Sequence, residues 1–167
     1  MTEQNKLQKR KPNRLPHYDY SQNGAYFVTI CTINMAQVLG EVVGATVLGR
    51  PQTDEHYCKL SPIGEKVKNA IEYINENNSE VAIEKYTIMP NHLHLIISID
   101  GSGDRGRSPL QYLVRSLKSY ITKEIEKNIW QKSFYERVIR NEKEYAKIWE
   151  YIEFNPHNWN VAEFYNE

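Results

Sequence analysis

Two cysteines, Cys31 and Cys58, are too few to frame a fold with disulfides, and Cys31 lies in an apolar run, so a reduced protein is expected. No apolar stretch approaches membrane-spanning length, and the N-terminus lacks the apolar centre of a signal peptide, so the expected location is cytoplasmic. Net charge is missing too. Lys and Arg total 21 against 21 Asp and Glu, which speaks against a chain that binds polyelectrolytes over its whole surface. Repeats and low-complexity segments are also absent. What remains is 167 residues with 40% hydrophobic content, enough for one well-cored domain without disulfide or metal staples.

The balanced charge is unevenly spread. Lys6, Lys9, Arg10, Lys11 and Arg14 face only Glu3 near the start, whereas residues 142–167 hold six acids against Lys143 and Lys147. A basic arm of this kind serves either as a phosphate contact or as a solvated tail. Residues 1–23, with Pro12 and Pro16, read as tail and lead-in, 24–160 as the domain, and 161–167 as a C-terminal tail.

Along the domain, Ala25–Ile33 (AYFVTICTI) has the β-branched and aromatic content of a central strand. Residues 38–60 carry glycines at 40, 44 and 49 and then Pro51, which predicts a weak hairpin of Val38–Val43 with His56–Leu60. Ser61 and Pro62 open a helix to about Asn77 with a core stripe of Ile63, Val67, Ala70, Ile71 and Ile74. Val81–Met89 and His92–Asp100 form two strands joined tightly at Pro90-Asn91, followed by the loop GSGDRG. Ser108 and Pro109 open a second helix that buries Leu110, Leu113, Val114, Leu117, Ile121 and Ile125. Phe134–Arg140 resembles a further strand, and a last helix runs from about Glu142 to Asn155, stopping before Pro156. The pattern predicts a single α+β domain with an antiparallel sheet, ferredoxin-like in its C-terminal half.

Two stretches carry chemistry. In YTIMPNHLHLIISID, a period of two puts His92, His94, Ile96 and Ser98 on one face and Leu93, Leu95, Ile97 and Ile99 on the other. Same-face neighbours in a strand lie roughly 6–7 Å apart, close enough for two imidazoles to share a cation. The bland alternative is a strand with two half-exposed histidines. Because the imidazoles oppose the aliphatic face, their removal is expected to open no core cavity. In the last helix the predicted core stripe is Tyr145, Ile148, Trp149 and Ile152. Tyr151 misses it by about 110°, and Asn155 follows on the same side one turn later. Either Tyr151 is a boundary residue over the sheet edge, or a phenol and an amide oxygen are both aimed at the histidine face. His17, His56 and His157 find no partners in sequence.

MPNHLHLIIS, the basic helix SPLQYLVRSLKSYIT and IWQKSFYERVIRNEKEYAKIWEYIEFNP together resemble the single-tyrosine HUH transposases, closest to the REP-associated tyrosine transposase branch. The resemblance spans Tyr26 to Asn158 and implies the HUH endonuclease fold, an antiparallel sheet with helices packed on it. It implies metal ligands at His92 and His94, a nucleophile at Tyr151 and a third ligand at Asn155. It also implies Mg²⁺ or Mn²⁺ as cofactor and cleavage beside a hairpin in single-stranded DNA through a 5′-phosphotyrosine, by a monomer or homodimer. Arg105, Arg107, Arg115 and Lys118 around the second helix, and Lys132 and Arg140 near the last strand, are candidate DNA contacts, with a solvated helix face as the alternative for the first four. Trp130, Phe134 and Tyr135 are candidates for base stacking, at least two of them being better explained as core. Two other function classes stay open: a non-catalytic single-strand-binding module, and a metal-dependent nuclease in which water attacks.

Overall fold

The structure is a computed structural model that describes residues 23–44, 56–100 and 108–159. The basic N-terminal arm, Arg105, Arg107 and the C-terminal tail lie outside the described residues. Strand β1 (Gly24–Cys31) is followed by a two-stranded hairpin, β2 (Gly40–Val43) and β3 (Tyr57–Leu60), and by helix α1 (Pro62–Asn77). Strands β4 (Val81–Met89) and β5 (His92–Ile99), helix α2 (Pro109–Glu124), strand β6 (Tyr135–Ile139) and helix α3 (Glu142–Glu153) complete the order. The main sheet runs β4-β5-β1-β6, with every neighbouring pair antiparallel. With the β2–β3 hairpin set aside, β1-α1-β4-β5-α2-β6 is the split βαββαβ arrangement, so the ferredoxin-like pattern takes in β1 and α1 as well as the C-terminal half.

The alternation in the strands builds two layers of unequal size. Tyr26, Val28 and Ile30 of β1 and Leu93, Leu95, Ile97 and Ile99 of β5 face α1 and α2, where they meet Val67, Ile71, Leu110, Leu113, Leu117 and Ile121 in the main core. On the opposite face Ile96 and Ile139 meet Ile148 and Ile152 of α3, with Ala25, Phe27 and Tyr145 packed around them. Burying an aliphatic side chain contributes roughly 1.5–3 kcal/mol, so the first layer carries most of the stability and α3 docks on a much smaller patch. Among the described residues no helix is long and apolar enough to cross a membrane.

Several expectations need correcting. Strand β1 stops at Cys31 rather than Ile33, because the chain leaves the sheet in a short 3-10 turn with Asn34 in the left-handed region at φ 53°. Ser61 caps α1 by accepting from the Gly64 N–H, but Ser108 makes no side-chain cap bond to α2. Helix α3 ends at Glu153, so Asn155 sits in the turn that follows rather than in the helix, immediately before Pro156. Trp149 is not core; it is exposed, with the Lys85 ammonium 4.8 Å from its ring centre. The histidine face is not free of packing either, since α3 and the turn after it leave His92 only 4% and His94 only 6% exposed.

A candidate active site under the last helix

Strand β5 is central, so its histidines are gripped from both sides. His92 pairs with Met89 of β4 and Cys31 of β1, and His94 with Thr87 and Thr29. Their rings meet edge to face with centroids 4.5 Å apart. His92 Nδ1 lies 2.7 Å from Asn91 Oδ1, which can only accept, so Nδ1 carries the proton and Nε2 is the nitrogen without one. His94 Nδ1 lies 2.9 Å from Thr29 Oγ1, which leaves its Nε2 on the open side. Phe27 stacks on the His94 ring at 5.2 Å and fixes its plane.

Helix α3 and its following turn bring the other two groups. Tyr151 is 48% exposed, and its Oη lies 3.3 Å from His94 Nε2, with the ring edge-on to Phe27. Asn155 is buried and its side chain hydrogen-bonds His92. The structure thus brings His92, His94, Tyr151 and Asn155 into one constellation, the second of the two arrangements that the spacing leaves open. Trp159 adds a ring 5.9 Å from His92. The competing phenol, Tyr145, instead donates to Glu84, and burial followed by that carboxylate pushes its pKa up to about 12.

The electrostatics favour neutral imidazoles. Burial pushes His92 down to about 4, partly opposed by the Asn155 hydrogen bond. Burial, and then the neighbouring His92, push His94 down to about 3. Both rings are therefore neutral at neutral pH, the form that ligates metals. The residues fit a divalent cation on the chemistry of their donors. Each histidine has its Nδ1 held by an oxygen partner, the arrangement that orients ligating imidazoles, with Nε2 as the nitrogen that a cation would take. Among the described residues no three His, Cys, Asp or Glu side chains converge, and the Asn155 amide is a further polar group in contact with His92.

Sequence reading missed Thr29, Phe27 and Asn91 as supports of the histidines. The signal was there for two of them: AYFVTICTI places Phe27, Thr29 and Cys31 on the face opposite Tyr26, Val28 and Ile30. It also missed that His56 and His157 pair, Nδ1 to Nδ1 at 3.0 Å.

A Haemophilus influenzae protein of uncharacterised function is 33% identical to this chain over 93% of each. A second H. influenzae protein, provisionally named a REP-associated tyrosine transposase, is 27% identical over 83% of this chain and 73% of its own length. The REP-associated tyrosine transposase of Escherichia coli is 35% identical over 46% of each chain. The chain belongs to the REP-associated tyrosine transposase family. A solved REP-associated tyrosine transposase bound to a REP hairpin shares the family fold, with a TM-score of 0.60 and 23% identity over 89% of this chain and 77% of that one. No protein-family model matches the chain. Membership makes this a protein of the transposase kind.

Among the described residues the candidate DNA contacts do not gather at this site. Arg115 is exposed on α2, across the sheet from α3. Lys118 donates to the carbonyls of Gln131 and Ser133 and lies 5.6 Å from the Phe134 ring centre, so it ties the loop before β6 to α2. Lys132 and Arg140 are exposed before and after β6. Of the three aromatics proposed for stacking, Trp130 is buried in the core, Phe134 packs against it, and Tyr135 is exposed.

Proposed function

We propose that the chain is a metal-dependent single-stranded DNA endonuclease and strand transferase that acts through Tyr151. The observation that carries this reading is the approach of Tyr151 Oη to His94 Nε2 at 3.3 Å, with Asn155 on His92 beside it. A phenol is a weak nucleophile near neutral pH, with an ordinary pKa of ~10, and needs help from its surroundings. The bond between Tyr151 Oη and His94 Nε2 holds the phenol at the site. His92, His94 and Asn155 would hold a divalent cation, Mg²⁺ or Mn²⁺, which would take His94 Nε2, free Tyr151 Oη from that bond and supply Lewis-acid neutralisation of the scissile phosphate. Tyr151 Oη then forms the new bond to phosphorus as the bond to the 3′ oxygen breaks, leaving a 5′-phosphotyrosine and a free 3′-hydroxyl. The phosphodiester energy stays in the tyrosyl ester, so a strand can be rejoined without ATP.

A stacked duplex resists presenting one phosphate in line to a side chain, which favours an unpaired strand as substrate. The hairpin bound by the solved relative suggests a hairpin beside that strand as the recognised partner. The test is incubation with labelled hairpin DNA carrying an unpaired tail, in the presence of Mn²⁺ or Mg²⁺. A denaturation-resistant protein–DNA band is expected, and Tyr151→Phe should lose the band while still binding DNA. Cleavage by the Phe variant turns the reading to water attack; tight binding without an adduct turns it to a non-catalytic module.

A further inference from the structure

Beside Tyr151 lies an open cleft of about 410 Å³, lined by Lys147, Glu150, Tyr151, Phe154, His157 and Asn158. We propose that this cleft takes one unpaired nucleobase of the strand that Tyr151 attacks, stacked on Phe154. The proposal rests on the reading of Tyr151 as the nucleophile and adds a base subsite to it.

Three observations converge. Phe154 is 48% exposed at the end of α3, three residues past Tyr151, and its ring lines the cleft. Positions three apart on a helix are roughly 5–6 Å apart, about the reach from a phosphate to the base beside it. The far wall is also held in place. His157 lies with its ring 6.1 Å from Phe154 at 39°, and it is pinned by His56, whose Nδ1 is 3.0 Å from its own. His56 comes from the segment leading into β3, so the β2–β3 hairpin braces the cleft through a contact 101 residues long.

The polar rim suits a nucleotide more than an apolar ligand. Lys147 offers a cation to a flanking phosphate. Glu150 and Asn158 offer acceptors to an exocyclic amine, which favours adenine or cytosine over thymine. The cleft volume is within the range of about 300–1,000 Å³ for small-ligand sites.

The test is an abasic scan run entirely in the Tyr151→Phe background, so that binding is read without cleavage. The probe is a DNA hairpin with an unpaired tail in which one nucleotide at a time lacks its base, with affinity read by fluorescence anisotropy. At one position, loss of the base is expected to weaken binding about 5- to 150-fold, the range for a single stacked base. Adding Phe154→Ala should weaken binding of the intact probe to the same degree and leave affinity for the abasic probe unchanged. Phe154→Trp should restore the difference. If Phe154→Ala weakens both probes alike, or neither, or if no tail position responds, the subsite is overturned. Because the readout is binding alone, failure of the phosphotyrosine adduct and failure of the base subsite are seen separately.

Discussion

Thr29→Val isolates the support of the histidine site with little change in shape. The Thr29 hydroxyl meets His94 Nδ1 at 2.9 Å, and Val keeps the branch while removing the oxygen. Two costs follow. The buried Nδ1 loses its partner, which costs about 1–3 kcal/mol for a fully buried group. Thr29 is only half-buried, so about 1–2 kcal/mol is expected from urea denaturation in the presence of a chelator. The second cost concerns the tautomer. Without Thr29 nothing at Nδ1 selects the tautomer, and a proton on Nε2 would donate to Tyr151 Oη and occupy the atom that faces the open side. Losing such a support typically lowers metal affinity about 10- to 100-fold. Calorimetric titration with Mn²⁺ should show that fall, and Thr29→Ser, which restores the hydroxyl, should reverse it. A valine variant matching wild type in both stability and Mn²⁺ affinity would refute the reasoning. A loss of stability with unchanged affinity would leave the bond structural and remove Thr29 from the metal site.

Stability without metal should fall on acidification from pH 6.5. Unfolded imidazoles protonate near ~6.5, but the folded rings do so only at about 4 and 3, so unfolding takes up protons between these values. The two contributions are fully present above ~6.5 and shrink by up to about 1.4 kcal/mol per histidine per pH unit as pH drops towards 4. Denaturation midpoints that stay level from pH 7 to 5.5 would show that the rings are not held neutral. His92→Ala should roughly halve that slope and abolish Mn²⁺ binding; it should also cost about 2–3 kcal/mol, because it empties a buried site and unpairs Asn91 and Asn155, so a neutral effect on melting would contradict the packing described. Gly64→Ala gains about 1 kcal/mol of helix propensity, yet its Cβ would stand 2.0 Å from the Leu39 carbonyl oxygen, so a net loss above about 2 kcal/mol is expected; a variant that melts higher than wild type would show that the backbone yields there.

Local periodicity made much of this fold legible. The strict alternation in His92–Ile99 separated an aliphatic face from an imidazole face, and the structure keeps that separation residue for residue. The stripes of α1 and α2 were equally plain, because each buries against a continuous core. The α3 stripe was only half right. Its patch on the sheet is too narrow to cover four large residues, so Ile148 and Ile152 are buried while Trp149 turns out to meet Lys85. Long-range pairings left no trace in the pattern. Nothing in the spacing of His56 and His157, or of Thr29 and His94, says that each pair meets, because those contacts depend on which strands become neighbours.

The two halves of the constellation are held with different strength. His92 and His94 sit on a central strand hydrogen-bonded on both edges and backed by the main core, so their positions are set by the most stable part of the fold. Tyr151 and Asn155 arrive together on α3 and the turn after it, a unit docked mainly through Ile148 and Ile152, worth roughly 3–6 kcal/mol gross at 1.5–3 per buried side chain. The polar ties around it, Lys85 with Glu153, Arg137 with Glu144 and Tyr145 with Glu84, lie at the rim, where such pairs typically contribute about 0–1 kcal/mol each. Undocking α3 would therefore remove the phenol and the amide in one step and leave the histidine pair intact on the sheet. Tyr151 and Asn155 are coupled to each other more tightly than either is to the histidines.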